Sequence, residues 1–368
     1  MVVGKVLFIN NQVRGNVMKK KMYYVNHKVM NKFIRDVLQK KGVDSFCATS
    51  VADGLVHASL RGVDSHGVRL LPHYLNALAS GRITPCPNFS LKKITPSTGI
   101  LDADNAFGHA AGMKAVEYAM DLAKNSGIGS VAVKRSTHYG AASFFALEIS
   151  KNDMIGFSFT HSDSLIVPTA AKDRFLGNNP ICFTAPCESE DPICLDMATS
   201  VITFNKILQL REENLLAPNG VGVDKNGSET NDPNQIHHLL PVGGYKGYGL
   251  SLMVEILCSL LTGMPFGPHI PRMYDSPIEE KRNLGHFFMA MRIDAFTDPD
   301  FFKKRMKQLV NELRSQIPVN PDIPVQVSGD PEKKFTEERK KQGIPLRETD
   351  ISFFEKISVN LDLNFQTT

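Results

Sequence analysis

The sequence predicts an α/β protein whose amino-terminal part is helical. Two apolar runs, 128–133 and 154–160, are typical of buried strands, and the segment 142–149 between them predicts a helix. A strand, a helix and a second strand in this order indicate a crossover between parallel strands. Each strand is followed directly by a polar loop, which is where α/β proteins place ligand-binding and catalytic groups.

The totals of the 368-residue chain place it among globular proteins and leave room for two or three domains. The net charge is only +4 and no basic motif accompanies it, so we expect no nucleic acid partner. The six cysteines are scattered without a C-x-x-C pair, which indicates reduced thiols and a cytoplasmic location. No window approaches the roughly 18 uninterrupted apolar residues of a spanning helix, so we expect no membrane partner.

Composition and pattern divide the chain into four segments. Residues 1–21 are a basic amino-terminal extension, and residues 22–95 are a helical region that carries a Ser-His loop. Residues 96–320 are a central α/β region that we expect to bind cofactor and substrate. Residues 321–368 are a carboxy-terminal turn followed by a charged helical tail.

Apolar periodicity and the residues that begin and end each run predict the individual elements. Asn26 is a suitable cap for a first helix that runs to about Lys40 and is stopped by Gly42, and a second helix starts near Ser45. Gly127 is expected to end a helix that starts near Met113. The remaining predicted elements are a helix at 70–78, strand pieces at 177–183 and 193–199, a helix from 250, a strand at 287–296, a helix at 300–315 and a short strand near 325.

Two glycine-flanked loops carry the histidines that are the main catalytic candidates. His138 follows the first central strand and precedes Gly140, which permits a close approach of a ligand to the backbone. His66 lies beside Ser65 in the loop 61–69. Imidazole titrates near neutral pH and is therefore suited to general acid–base work. The alternative for both histidines is a structural role, in the core or in a polar connection between helices.

Three further polar segments are candidates for ligand binding. Residues 161–164 follow the second central strand, and Asp196 ends an apolar run, where an unpaired carboxylate would be costly. The glycine-rich segment 243–249, with Lys246, leads into an apolar helix, and free N–H groups at such a helix start bind anions. This segment is neither a P-loop nor a Rossmann fingerprint, and no G-x-G-x-x-G occurs in the chain.

Five short motifs occur in order along the chain: Arg61-Gly-Val-Asp-Ser-His-Gly67, Ser136-Thr-His-Tyr-Gly140, Gly177-Asn-Asn-Pro180, Asp196-Met-Ala-Thr199 and Lys246-Gly-Tyr-Gly249. Together they resemble the type-2 malate/L-lactate dehydrogenase family, which includes ureidoglycolate and sulfolactate dehydrogenases. The resemblance covers roughly residues 22–357. It implies an α/β, non-Rossmann nicotinamide-dinucleotide-binding fold and homodimers or larger homo-oligomers. It also implies hydride transfer between a nicotinamide cofactor, NAD(P), and a small 2-hydroxy/2-keto acid of the malate, lactate or ureidoglycolate type.

The resemblance implies roles for individual residues as well. His66 and His138 correspond to the general acid/base histidines of the family, and Ser65 to a serine proposed as a hydroxyl relay in some members. The positions that correspond to cofactor contacts are Ser162, Asp196, Met197, Ala198, Lys246, Ser328, Gly329 and Asp330. NAD is the expected cofactor, with NADP as the alternative, and no metal is implied.

An arginine is expected to bind the substrate carboxylate through two hydrogen bonds. Arg69 is the first candidate and Arg61 the second, although many family members place this arginine four residues after the histidine, where this chain has Leu70. If Asp163 faces the pocket, it repels a second anionic group and favours lactate or ureidoglycolate over malate or sulfolactate. The alternative is that Asp163 points to solvent.

Two other functions are compatible with parts of the sequence. A metal-dependent hydrolase would use His66, His138 and His161, but the chain has no H-E-x-x-H motif. A non-catalytic relative would keep the fold without the activity. The intact Ser-His, Thr-His and Asp-Met-Ala segments favour the enzyme.

Overall fold

The computed structural model describes residues 22–365, so the predicted extension 1–21 lies outside the described part. The strands are β1 Met22–Val25, β2 Ser90–Lys93, β3 Thr98–Asp102, β4 Ile128–Ser136, β5 Met154–Thr160, β6 Ile181–Cys187, β7 Glu190–Met197, β8 Gly222–Val223, β9 His238–Leu239, β10 Leu284–Arg292 and β11 Ile344–Arg347. The helices are α1 His27–Lys40, α2 Ser45–Leu60, α3 Leu71–Ala79, α4 Gly108–Ser126, α5 Ser143–Ser150, α6 Phe204–Glu212, α7 Tyr245–Cys258, α8 Pro299–Arg314, α9 Asp330–Gln342 and α10 Glu348–Leu361. Within residues 22–365 no helix is long and apolar enough to cross a membrane.

The largest sheet has seven strands in the order β2-β3-β4-β10-β5-β6-β7. β3 and β4 are parallel, and the other neighbouring pairs are antiparallel. β4 and β5 run in the same direction, as the strand–helix–strand pattern predicts, but β10 lies between them and pairs with both. The α/β class is confirmed, and the crossover through α5 skips one position that a later strand fills.

Helices cover both faces of this sheet. Ala115 of α4 and Phe145 of α5 share a core with Phe288 of β10. The preceding residue, Phe287, packs instead with Val254 of α7, because successive side chains of a strand point to opposite faces. The sheet is therefore a middle layer, with α4 and α5 on one side and α7 on the other.

The amino-terminal helices and the carboxy-terminal tail share a second core. β1 pairs with β11 in an antiparallel ladder, and Phe33 of α1 meets Phe354 of α10 edge to face, with 6.1 Å between the ring centroids. Asn26 caps α1 as predicted, because its side chain accepts a hydrogen bond from the N–H of Lys28. The tail is thus partly buried against the helices of the 22–95 region.

Some element boundaries differ from the prediction. Gly127, with φ of +79°, ends α4 as expected, but α4 begins earlier, at Gly108. Helix α7 also begins earlier than predicted, inside the glycine-rich segment. The short strand predicted near 325 does not form, because the N–H of Val327 donates to Oδ2 of Asp330, at 3.0 Å, instead of to a neighbouring strand.

Candidate active site

A cavity of about 510 Å³ lies at the edge of the sheet where β4 and β5 end and β10 begins. β10 is antiparallel to both neighbours, so its first residue, Leu284, reaches the same edge as the loops that follow β4 and β5. The Ser-His loop, the end of β7, the start of α6 and the segment 272–275 also line it. Segments far apart in the sequence therefore form one site.

The two candidate histidines lie side by side in this cavity. The ring centroids of His66 and His138 are 5.5 Å apart, and the ring planes are inclined by 24°. Oγ of Ser65 is 2.9 Å from Nδ1 of His66, and Oη of Tyr74 is 2.7 Å from Nδ1 of His138. Each imidazole is therefore held through Nδ1, while Nε2 has no hydrogen-bond partner within residues 22–365.

The loop that carries His138 is fixed against the start of α4. Oγ1 of Thr137 accepts a hydrogen bond from the N–H of Gly108 and donates one to the carbonyl of Ala106. A Cβ at position 108 would lie 2.4 Å from the carbonyl oxygen of Thr137 and 2.6 Å from the carbonyl of His138. Only glycine lets α4 approach so closely, so a residue outside the predicted site determines where His138 lies.

Burial lowers the pKa of both histidines. For His138 desolvation is the main cause, and the positive charges of protonated His66 and of Arg282 lower the pKa further. For His66 desolvation again lowers the pKa, while the carboxylate of Asp196 opposes the change. A lowered pKa leaves an imidazole neutral near pH 7. Both side chains are therefore in the form that accepts a proton.

Three of the residues expected to contact the cofactor line the cavity, namely Ser162, Asp196 and Ala198. Oδ2 of Asp196 accepts a hydrogen bond of 2.8 Å from the N–H of Ser143, the first residue of α5. Oγ of Ser162 accepts one of 3.0 Å from the N–H of Asn178. These bonds hold a carboxylate and a hydroxyl at the strand ends, next to the histidines.

Asn178 also lines the cavity, and in the sequence it is part of the motif Gly177-Asn-Asn-Pro180. Its carbonyl accepts hydrogen bonds from the N–H and the hydroxyl of Thr199, which fix the backbone. Its side-chain Oδ1 is buried and has no hydrogen-bond partner within residues 22–365. A buried acceptor of this kind is suited to a ligand that donates an N–H group.

The other residues expected to contact the cofactor do not line the cavity; these are Met197, Lys246, Ser328, Gly329 and Asp330. Lys246 is exposed in the first turn of α7. Asp330 forms an ion pair of 2.6 Å with Arg314. The carbonyl of Ser328 accepts a hydrogen bond from the N–H of Cys194, so this turn lies against β7, whose end lines the cavity.

The two arginine candidates for the substrate carboxylate differ in placement. Nε of Arg69 lies 3.2 Å from the carboxylate of Asp350, and its Nη2 donates to the carbonyl of Pro345. Arg69 is therefore directed away from the cavity, and Leu70 lines it instead. Both residues lie on a 3₁₀ turn, where neighbouring side chains point about 120° apart. Arg61 lines the cavity, and its buried guanidinium has no hydrogen-bond or ion-pair partner within residues 22–365.

Arg282 is a cavity residue that no motif in the sequence indicates. It precedes β10, lines the cavity and is almost completely buried. Its Nη2 donates to Oδ1 of Asp163, and its Nε donates to the carbonyl of Pro271 at 2.9 Å. Asp163 thus faces the cavity, but its charge is paired. The expected repulsion of a second anionic group by Asp163 is removed by this ion pair.

His161 has a different environment from the other two histidines of the hydrolase hypothesis. Its Nε2 accepts a hydrogen bond of 2.8 Å from the N–H of Gly285, and its Nδ1 lies 3.6 Å from a carboxylate oxygen of Glu255. These contacts fix the loop after β5 against β10 and α7. Within residues 22–365, no group of three His, Cys, Asp or Glu side chains is arranged to hold a metal ion.

Comparison with known proteins identifies relatives over most of the chain. A model of the family described as malate/L-lactate dehydrogenase matches residues 25–353. Malate dehydrogenase of Pyrococcus abyssi is 38% identical over 325 residues, which cover 85% of this chain and 88% of the relative. Ureidoglycolate dehydrogenase (NAD(+)) of Escherichia coli strain K12 is 34% identical over 294 residues, covering 80% and 84%. The solved structure of sulfolactate dehydrogenase from Methanocaldococcus jannaschii superposes with a TM-score of 0.87 at 33% identity, covering 93% of this chain and 98% of that chain.

Proposed function

The chain belongs to the malate/L-lactate dehydrogenase family and is a dehydrogenase of 2-hydroxy acids, and on this premise we propose that it transfers a hydride between NAD and a small 2-hydroxy/2-keto acid in the cavity of His66 and His138. The observation that carries this proposal is the pair of neutral, stacked imidazoles, each held through Nδ1 by a hydroxyl. The named activities of relatives on malate, ureidoglycolate and sulfolactate support this substrate class.

His138 is the principal proton carrier in this proposal. Oxidation of a 2-hydroxy acid removes the hydroxyl proton while a hydride leaves the same carbon. When Nδ1–H of His138 donates to Oη of Tyr74, Nε2 is the basic nitrogen and takes the hydroxyl proton. In the reverse direction the protonated Nε2 returns this proton to the carbonyl oxygen of the 2-keto acid. His66 lies too close for both rings to carry a positive charge easily.

The cavity residues fit a nicotinamide nucleotide. The unpartnered Oδ1 of Asn178 is suited to accept an N–H of the nicotinamide carboxamide, and Ser162 and Asp196 supply a hydroxyl and a carboxylate for further hydrogen bonds. When bound, the nicotinamide accepts or donates the hydride. We propose NAD, which the name of the Escherichia coli relative specifies, and NADP is the alternative.

A substrate and cofactor screen tests this function. The purified protein is incubated with lactate, malate, sulfolactate or ureidoglycolate and with NAD or NADP, and the reduced cofactor is followed by its absorbance. The same screen is run in reverse with the corresponding 2-keto acids. We expect turnover with at least one pair, at higher catalytic efficiency with NAD than with NADP. Absence of turnover in both directions with every pair would contradict the proposal.

A further inference from the structure

We propose that Arg282, fixed by Asp163, binds the carboxylate of the substrate in place of the arginine expected beside the Ser-His motif. This inference rests on the proposed function, because it concerns the carboxylate next to the reacting carbon of the same 2-hydroxy acid. Asp163 acts as a positioning residue for the guanidinium. The position that is expected to supply the arginine holds Leu70 in this chain, and the neighbouring Arg69 is paired with Asp350 outside the cavity.

Arg282 lies on the proton carrier's side of the cavity. Its side chain is only 3% exposed, and together with His138 and Tyr274 it lines the cavity. Its positive charge acts on His138, on Tyr274 and on Tyr74, the hydroxyl partner of His138. A carboxylate bound there places the adjacent carbon, which carries the reacting hydroxyl, toward the imidazole.

The guanidinium of Arg282 has donors left for a ligand. A guanidinium carries five N–H groups. The Nε–H is used by the carbonyl of Pro271, and one hydrogen of Nη2 by Asp163. Both hydrogens of Nη1 and the second hydrogen of Nη2 have no partner within residues 22–365. The two terminal nitrogens therefore present the planar fork that binds both oxygens of a carboxylate.

Asp163 explains how so buried a cation is tolerated before substrate binds. A buried charge without a partner is strongly unfavourable, and removing one member of a buried pair destabilises the protein. The ion pair with Asp163 compensates the charge of Arg282 and fixes the orientation of its free edge. The hydrogen bond from Nε to Pro271 fixes the same guanidinium from a second direction.

The other arginines of the site are less suited to this role. Arg272 forms an ion pair with Asp275, and its side chain is 40% exposed at the rim of the cavity. Arg61 is buried and unpaired, but its charge acts on His57, whose Nε2 lies 3.3 Å from Oγ of Ser143. The charge of Arg61 is therefore placed near the start of α5.

The test compares Arg282→Gln and Arg282→Lys with Arg69→Gln as the matched control. Reduction of pyruvate is compared with reduction of methyl pyruvate, which has the same carbonyl group without the negative charge. Binding of oxamate, a non-reacting analogue of pyruvate, is measured by calorimetry in the presence of NADH, and the affinity for NADH is measured separately. The control shows whether the loss is specific to Arg282, which lines the cavity, or also follows removal of Arg69, the arginine beside the Ser-His motif.

We expect Arg282→Gln to raise KM for pyruvate and the Kd of oxamate roughly ten- to a hundredfold and to abolish the preference for pyruvate over methyl pyruvate. NADH affinity should stay unchanged, and Arg282→Lys should be intermediate because an ammonium group lacks the fork. Arg69→Gln should keep the wild-type preference.

Retention of the preference and of oxamate affinity in Arg282→Gln would overturn the inference. If that variant does not fold, an undiminished, wild-type preference and oxamate affinity in Arg282→Lys would overturn it, because an ammonium group lacks the fork. Failure of the proposed function gives a different result from failure of this inference. If the proposed function is wrong, the wild type reduces no 2-keto acid. The oxamate affinities of the wild type and the variants still decide the role of Arg282 in that case. A wild type that binds no oxamate also contradicts the inference.

Discussion

His66 and His138 share one cavity, but their surroundings differ at the level of single contacts. The Nδ1 atom of His138 is paired with the buried hydroxyl of Tyr74, whereas that of His66 is paired with the hydroxyl of the adjacent Ser65. Oη of Tyr74 comes from a separate helix, so its hydrogen bond fixes the ring of His138 from outside its own loop. These differences favour His138 as the proton carrier and His66 as the residue that shapes its electrostatic environment.

Replacement of His138 tests this assignment directly. We expect His138→Gln to lower kcat by about two to four orders of magnitude, the usual contribution of a positioned acid or base. His66→Gln, measured alongside, should lower kcat less. Steady-state kinetics of both variants in the oxidation and reduction directions are the measurement, with circular dichroism as the control for folding. A folded His138→Gln variant with wild-type kcat would exclude His138 as the proton carrier.

The pH dependence of catalysis tests the contact between Tyr74 and His138. Because the pKa of His138 is lowered, kcat/KM for oxidation should rise with pH and reach its plateau below the ordinary histidine value of about 6.5. Tyr74→Phe removes the hydrogen-bond acceptor for Nδ1–H, which disfavours the protonated ring. We expect the acidic limb of the profile to move about one pH unit lower. An unchanged limb would show that Tyr74 does not act on the pKa of His138.

Local sequence identified some of the residues that line the cavity and missed others. His66, Ser65 and His138 are recognisable because a polar loop with glycine follows an apolar run, and they do meet in the cavity. Arg69 was expected in the cavity, but its side chain points away from it. Neighbouring side chains on a 3₁₀ helix point about 120° apart, so a shift by one residue is enough to redirect the side chain. Arg282 has no local signal, since its role depends on the pairing of β10 with β4 and β5.

At the scale of elements, the sequence predicted which segments are strands more reliably than how they pair. β4, β5, β6 and β7 are apolar runs that the pattern identifies. The insertion of β10 between β4 and β5 depends on contacts between residues more than a hundred positions apart, such as Phe288 opposite Val131 and Ser158. Periodicity within a window carries no information about such pairings.

Substitution of Lys246, in the first turn of α7, tests whether the glycine-rich segment contributes to cofactor binding. Lys246 is exposed in the first turn, where its charge and the unpaired N–H groups are available to an anion such as a phosphate. We expect Lys246→Ala to raise the Kd of NADH without a change in kcat at saturating cofactor. Lys225→Ala, a lysine in the polar loop after β8, serves as a matched control. Equal NADH affinity in Lys246→Ala and the wild type would assign Lys246 another role.

At the scale of the whole molecule, buried histidines link stability to pH. Burial lowers the pKa of His109 and of His286 to about 3, whereas both titrate near 6.5 in the unfolded chain. As pH falls from 6.5 toward 3, the unfolded state gains protons that the folded state does not, so the folded state loses stability. Each such histidine contributes a slope of about 1.4 kcal/mol per pH unit in this window.

His109→Leu measures one of these contributions. Both ring nitrogens of His109 are buried without a hydrogen-bond partner within residues 22–365, so the substitution removes a titrating group and breaks no hydrogen bond. We expect the free energy of unfolding, measured by urea denaturation between pH 7 and pH 5, to depend less steeply on pH in the variant. Equal slopes for the variant and the wild type would show that His109 takes up no extra proton on unfolding.

The surface of α7 indicates how the chain assembles. The helix buries Val254 and Cys258 against the sheet, but exposes large apolar side chains on the rest of its surface and in the turn that follows. These residues are Leu250, Leu252, Met253, Ile256, Leu260 and Leu261. A contiguous apolar face of this kind is unfavourable in water and is typical of an interface between subunits. We therefore expect a homodimer, or a larger homo-oligomer, with α7 in the interface.

Light scattering at micromolar concentration measures this assembly. The wild type should have at least twice the mass of one chain, because we expect a second copy to cover the α7 surface. Ile256→Glu places a charge in that interface, which is costly unless it finds a partner, and should shift the protein toward the monomer. Val319→Glu is the control, since Val319 is fully exposed and lies in the segment after α8, outside α7. A monomeric wild type, or an Ile256→Glu variant that assembles like the wild type, would place the interface elsewhere or exclude it.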